Sequence, residues 1–144
     1  ITDAGSPGIS DPAFLLVRAC KAAGVEVTSL PGATAFVPAL TNSGLPASSF
    51  VFEGFIPLKK GKKTLMESLA NEERTMIFYE SPMRLVKTLE LFKEYFGADR
   101  KAAVSRELTK IYEENITDTL DNLITHFSAK QVKGEIVIIV AGKE

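Results

Sequence analysis

Apolar residues along the chain fall into short runs separated by turn residues, and two periods sort them. Residues 50–56, 75–80, 102–107 and 134–141 are β-rich runs of strand length bounded by Gly, Pro, Ser or charged residues. They predict strands. Between the first two, Leu65, Met66 and Leu69 recur at helical spacing; after the second, Leu85, Leu89, Phe92 and Phe96 follow i, i+4, i+7 and i+11 before Gly97. With Ser81-Pro82 as its start signal, this second pattern is the clearest helix in the chain. Residues 111–116 alternate as an edge-like strand, and Thr117 caps a helix carrying Leu120, Leu123, Ile124 and Phe127. The predicted order from residue 50 onward is β-α-β-α-β-β-α-β.

The first third reads differently. Ile1 to Gly5 resembles the tail of a strand entering a loop, as expected of a piece of a longer protein. Asp11-Pro12 then combines an N-cap with proline at the first helical position, which predicts a helix through Phe14, Leu15, Val17 and a core Cys20 to Gly24. Residues 25–30 alternate with period two and predict a strand ended by Pro31-Gly32; residues 33–43 predict a helix of mostly small side chains with Pro38 near its start. Gly44-Leu45-Pro46-Ala47-Ser48-Ser49 is turn-rich and places a domain boundary near Ala47, giving units 1–47 and 48–144. Alternating strands and helices of these lengths imply an α/β fold with a mixed, mostly parallel sheet.

Composition narrows the class. The 144 residues are 45% hydrophobic and 24% charged, which supports a core and excludes a disordered chain. Seventeen basic against eighteen acidic residues give a net charge of −1, so a polyanion has to meet a local patch. One cysteine and one histidine, Cys20 and His126, allow neither an internal disulfide nor an ordinary zinc site. No metal is expected. No apolar run approaches the roughly 20 residues of a membrane helix, so a cytoplasmic protein is expected.

In open α/β sheets ligands bind beyond the carboxyl ends of the strands. The polar residues there are Asp3, Pro31-Gly32, Glu80 and Arg106-Glu107, and an antiparallel final strand would add Gly134-Glu135 to the same edge. A cleft rimmed by Glu80, Arg106, Glu107 and Glu135 is the expectation; ordinary solvated strand ends, or an internal Glu–Arg pair, are the alternative. The stretch 3–12 has two glycines and two prolines that let a backbone approach a ligand, yet it fits neither the dinucleotide fingerprint nor the P-loop. Lys59, Lys60, Lys62 and Lys63 around Gly61 form the one dense basic run, suited to RNA phosphates. His126 reads as a surface or packing residue.

The strings Asp3-Ala4-Gly5-Ser6-Pro7-Gly8-Ile9-Ser10-Asp11-Pro12, Leu30-Pro31-Gly32, Ser43-Gly44-Leu45-Pro46, Glu53-Gly54-Phe55-Ile56-Pro57, Phe78-Tyr79-Glu80-Ser81, Arg106-Glu107-Leu108-Thr109-Lys110 and Lys133-Gly134-Glu135 resemble, in order, the ribosomal-RNA-methylating branch of the tetrapyrrole methylases. The resemblance implies the tetrapyrrole-methylase fold, here the end of a first α/β domain and a second α/β domain. It implies methyl transfer from S-adenosylmethionine to a cytidine 2′-hydroxyl of small-subunit ribosomal RNA, and a homodimer. Carried over by position, it sets the donor in a cleft between the domains, against Asp3, Ala4 and Gly5, the helix start Pro31, Gly32, Ala33, Thr34 and Ala35, and Gly134-Glu135. Phe55, Phe78 and Tyr79 are candidates for an aromatic wall. Glu80 and Glu107 are candidate bases; Arg106 and Lys110 are candidates for holding a phosphate or the developing alkoxide, and Lys110 with a lowered pKa is a further candidate base. A methyltransferase acting on a corrin or porphyrin precursor and a non-catalytic RNA- or ribosome-binding module are the competing readings.

Overall fold

The computed structural model describes residues 5–10 and 12–143. The chain forms two compact units, Ile1–Ala35 and Phe36–Glu144, dividing ahead of the boundary placed near Ala47. The division falls there because helix α2 (Phe36–Ser43) buries Ala39 and Leu40 on the sheet of the second unit.

The first unit contains α1 (Phe14–Ala22), which starts after Ala13 with no side-chain cap. Asp11, the expected cap, lies outside the described residues. Residues 25–30 do not form the expected strand. Alternation makes a strand only where a neighbour supplies the ladder, and the described residues of this unit contain none. For the same reason α1 has no sheet to cover: it buries no side chain, and Cys20 is half-buried instead of core.

The second unit is a five-stranded sheet: β1 (Phe50–Phe55), β2 (Thr75–Glu80), β3 (Lys101–Arg106), β4 (Glu114–Thr119) and β5 (Ile136–Val140), in the order β1-β2-β5-β3-β4. The sheet is mixed, as expected, but mainly antiparallel. Only β1·β2 is parallel; β5 runs antiparallel to both β2 and β3, and β4 antiparallel to β3. A β-bulge at Glu53 in β1 skips one residue of register, so that Phe52 faces Ile77 while Gly54 faces Phe78.

Period-two alternation divides the core between two faces. Met76, Phe78, Ala102, Val104, Ile136, Ile138 and Val140 face α3 (Lys62–Leu69), α4 (Leu85–Phe96) and α5 (Leu120–Ser128). There Phe78 and Phe92 rings lie 4.7 Å apart, and Phe92 stacks on Phe96 at 5.3 Å. On the other face Ile77, Ala103, Val137 and Ile139 meet Ala39 and Leu40 of α2, with Phe36, Phe52 and Tyr79 around them.

Three further helix starts differ from the expected ones, besides that of α1. Helix α2 begins at Phe36 because the Ala33 carbonyl, which an earlier start would need, accepts the Ser6 N–H at 2.8 Å. Pro38 then occupies the first turn, where its missing N–H costs nothing. Ser81 opens a turn, its carbonyl accepting Arg84 N–H at 3.0 Å, and α4 starts only at Leu85. In α5 the cap is Thr119, whose side chain accepts from Asn122 N–H, because Thr117 is still paired to Ala103 in β4.

Phe92→Ala removes a fully buried ring and is expected to cost about 3–5 kcal/mol in urea denaturation. Met83→Ala, at a side chain 92% exposed, is expected to stay within about 0.5 kcal/mol.

Candidate functional site

Because β5 is antiparallel to both its neighbours, its first residue sits opposite the last residues of two strands: Ile136 pairs with Glu80 and with Arg106. Glu80, Arg106 and Glu135 therefore share one sheet edge, from which the 107–113 loop leaves β3.

Glu80 is buried on the helix-covered face. Its carboxylate accepts Ser81 N–H at 2.7 Å and the Thr88 hydroxyl at 2.7 Å, with Arg84 Nη2 at 3.5 Å. Both oxygens are engaged in docking the start of α4 onto β2. Alternation puts Glu80 on the same face as Met76 and Phe78, so it anchors the fold where a base candidate would need to face the edge.

The loop after β3 is tied down reciprocally. Glu107 N–H donates to Glu135 O at 3.0 Å, and Glu135 N–H donates to Glu107 Oε1 at 3.0 Å. Lys110 Nζ lies 3.0 Å from Glu107 Oε1 and 3.2 Å from Glu135 Oε2. The Glu135 amide and the Lys110 ammonium pull the Glu107 carboxyl below its ordinary value. Hydrogen bonds to Glu107 and Glu135 raise the Lys110 pKa. The expectation of a lowered Lys110 pKa is corrected: two carboxylates hold it as an ammonium. Gly134, at φ +94°, makes the arrangement possible, since a Cβ there would fall on the Glu107 carboxylate.

Arg106 turns to β4. Its Nε donates to Glu114 Oε2 at 3.1 Å and its Nη1 to Lys133 O at 3.2 Å. Glu114 also receives His126 Nε2 at 3.1 Å and Lys130 Nζ. Burial alone would raise the Glu114 pKa, but bonds from Lys130, His126 and Arg106 outweigh it and hold the group at about 2. Glu114 and Lys130 were not among the sequence candidates; their one signal is that β4 leads out of the Arg106-Glu107 string.

The aromatic candidates separate. Phe78 is fully buried on the helix face and is withdrawn as a wall. Phe55 is 56% exposed and meets half-buried Tyr79 edge-on at 5.7 Å; Tyr79 also meets Phe52 at 5.1 Å. Burial raises the Tyr79 hydroxyl pKa against an opposing hydrogen bond with the Phe36 backbone.

Lys59 and Lys60 lie in the turn before α3, and Lys62 and Lys63 are its first residues, with no acidic side chain in that first turn. Cations crowd the positive end of the helix dipole. Only Lys63 has an acidic neighbour within ion-pair range among the described residues, Glu67 at 3.7 Å.

In the first unit, Asp3 and Ala4 lie outside the described residues. Gly5 packs on residues 33–34: a Cβ at Gly5 would stand 2.7 Å from Ala33 O. Ser6 N–H donates to that carbonyl, and Thr34 Oγ1 donates to Ser6 Oγ at 2.9 Å. A Cβ at Gly32 would come within 3.3 Å of Ser6 Oγ, so the two predicted glycine segments form one small-residue cradle. Pro31 and Ala35 flank it in sequence; both are exposed.

Among the described residues, no group of three or more His, Cys, Asp or Glu side chains is arranged to hold a metal ion, and no helix is long and apolar enough to cross a membrane.

The chain belongs to the Tetrapyrrole (Corrin/Porphyrin) Methylases, matched over residues 1–124. Within it, the chain is 47% identical over 143 residues to ribosomal RNA small subunit methyltransferase I of Synechocystis, covering 99% of this chain and 51% of that protein. It is 42% identical over 144 residues to the protein of the same name from Thermotoga maritima, of which it covers 64%. The chain thus spans about half to two thirds of the length of these curated relatives. Among solved structures it resembles the methyltransferase CobJ (TM-score 0.70, 24% identity, 96% of this chain and 62% of that one). It also resembles the Thermus thermophilus uroporphyrin-III C-methyltransferase complexed with S-adenosylhomocysteine (TM-score 0.62, 18% identity, 96% and 63%). At these identities both show the fold.

Since Glu114 is held at about 2 and not 4.5, its bonds stabilise the fold fully above pH 4.5 and cease to do so as pH falls through 2. Glu114→Gln is expected to cost about 1–3 kcal/mol near neutral pH, and the gap to wild type in denaturant titrations should close between those two values.

Proposed function

We propose that the chain is the methyl-transferring part of an S-adenosylmethionine-dependent enzyme that methylates a cytidine ribose 2′-hydroxyl of small-subunit ribosomal RNA, in the cytoplasm and as a homodimer. The observation that carries this reading is identity of 42% and 47%, over nearly the whole chain, to proteins named ribosomal RNA small subunit methyltransferase I. The names say small-subunit RNA and methyl transfer; the cytidine 2′-hydroxyl follows from the motif resemblance.

The residues fit the donor. Gly5 and Gly32 let the 5–6 and 32–34 segments pack closely and bond to each other, and their small side chains offer a smooth backbone surface to an adenosine and its carboxylate. When bound, S-adenosylmethionine supplies an electrophilic methyl on a sulfonium. The chain's own work is on the acceptor. A ribose hydroxyl is a poor nucleophile until its proton is shared, so positioning and a hydrogen-bond acceptor are the minimum. Glu107 supplies that acceptor: it is ionised at neutral pH, its Oε1 is fixed by the Glu135 amide, and its Oε2 has no partner among the described residues. Lys110, held as a cation, offsets charge developing on the ribose oxygen. The four lysines at the start of α3, Lys59 and Lys60 before it and Lys62 and Lys63 in its first turn, largely lack acidic partners and supply the polyanion contact.

Calorimetry with S-adenosylmethionine is expected to show binding by the chain and at least a tenfold loss in Gly5→Val, which fills the cradle; no binding by the chain overturns the donor assignment. Replacing Lys59, Lys60, Lys62 and Lys63 with alanine is expected to weaken binding to small-subunit RNA and to reduce the slope of log K against log salt by up to about 3–4, leaving donor affinity alone. An unchanged slope removes that loop from the interface.

A further inference from the structure

Beside the edge, a cleft of about 220 Å³ opens between the β3–β4 loop and the segment joining α5 to β5, lined by Arg106, Tyr112, Lys130, Gln131, Val132 and Lys133. No acidic side chain lines it. Arg106 and Lys130 are turned toward Glu114, which neutralises one of them; Lys133 has no acidic partner among the described residues, its backbone carbonyl alone being bonded to Arg106. The floor of the cleft is therefore cationic.

Its wall is an aromatic ring in an unusual position. Tyr112 is 73% exposed and its neighbour Ile111 is 95% exposed. A floppy loop would explain exposure at little cost, but this loop is fastened. Glu107 is locked to Glu135 and Lys110, and Thr109 N–H donates to Glu113 Oε2 at 2.6 Å. Two of its residues, Glu107 at φ 50° and Thr109 at φ 64°, hold left-handed backbone that non-glycine side chains disfavour, a β-branched threonine most of all. Strain of this kind persists where the surroundings impose it, and it concentrates at ligand-contacting sites. The Tyr112 ring stands exposed on a cleft that Arg106, Lys130 and Lys133 also line.

We propose that this cleft is a subsite for one unstacked nucleotide of a single-stranded RNA segment, the base stacking on Tyr112, the phosphate meeting Lys133 and Lys130, and the Gln131 amide facing the base edge. Stacking on an exposed aromatic with a cation at phosphate distance is the way proteins hold splayed single-stranded bases. The inference rests on the RNA reading above and adds a second contact region, separate in sequence from the lysines at the start of α3.

The test is anisotropy of a fluorescein-labelled single-stranded pyrimidine hexaribonucleotide titrated with the chain at low salt. Tyr112→Ala is expected to weaken binding about 5- to 100-fold, while Tyr112→Phe stays within about twofold of wild type. Lys133→Gln is expected to lower affinity and reduce the salt slope by about 0.7. Tyr112 and Lys133 are exposed, so circular dichroism should show every variant folded. The subsite is overturned if Tyr112→Ala binds like wild type, if Tyr112→Phe loses as much as Tyr112→Ala, or if cytidine monophosphate competes as well as the hexamer, which would make it a free-nucleotide pocket. Normal binding by Tyr112→Ala with loss in the four-lysine variant overturns the cleft and leaves the RNA reading standing. No binding of the hexamer or of small-subunit RNA by the chain overturns both.

Discussion

Strand β5 is five apolar residues long, every one of them buried, and it lies between β2 and β3 running against both. A strand with no polar face has to be covered on two sides, and these are the three helices on one face and α2 on the other. Its direction does more for function than its burial. Had β5 run parallel to β2 and β3, its first residues would emerge at the opposite edge, and Gly134-Glu135 would be a strand length away from Arg106 and Glu107. Antiparallel, it brings the Glu135 amide to the Glu107 carboxylate and the Lys133 carbonyl to the Arg106 guanidinium.

The same two-residue period decides which candidates remain at the edge. Phe78, Tyr79 and Glu80 are consecutive, so they cannot share a face. Phe78 goes to the helices; Tyr79 joins Phe52 and Phe55 on the other side; Glu80 returns to the helix face and is spent on Thr88 and the Ser81 amide. The apolar pattern of the Phe78-Tyr79-Glu80-Ser81 string was readable, but not its sidedness. Which face is covered depends on the helices that arrive later in the chain.

Much of the second unit was legible because its signals are local and agree with one another: β2 is found at its predicted bounds, Leu85, Leu89, Phe92 and Phe96 are all core, and the order of elements is the expected one. The departures have long-range causes. Residues 111–116 alternate, yet only Glu114 onward pairs, because β3 ends at Arg106 opposite Glu114 and Glu107 then turns left-handed. Ile111 and Tyr112 keep a strand's pattern without a strand's partner. Residues 25–30 lack a partner among the described residues in the same way, and Ala33 loses its helical role to a hydrogen bond with a residue far back in the chain. No window of sequence contains these contacts. Arg106, Glu107, Lys110 and Glu135 meet at one sheet edge, whereas Glu114, Lys130 and Tyr112 became visible only when β4 and the α5–β5 segment were set beside Arg106.

The electrostatics of the edge constrain the chemistry it can perform. Glu107 is held low by the Glu135 amide and the Lys110 ammonium, Lys110 high by Glu107 and Glu135, and Glu114 at about 2 by Lys130, His126 and Arg106. A general base that waits as a neutral amine, or as a carboxylate with a pKa near neutrality, needs the opposite surroundings: burial or like charge. Glu107, Lys110 and Glu114 form instead an array of charges set away from neutrality. Such an array lowers a barrier by holding the acceptor in place and by meeting charge as it develops, and it does so without itself being titrated. On the proposed reading, a preorganised carboxylate would share the hydroxyl proton until solvent takes it, and a fixed ammonium would meet the charge left on the oxygen. On that reading the 107–113 loop has to stay fixed, and it depends on Gly134, the position that lets the Glu107 carboxylate lie against the start of β5.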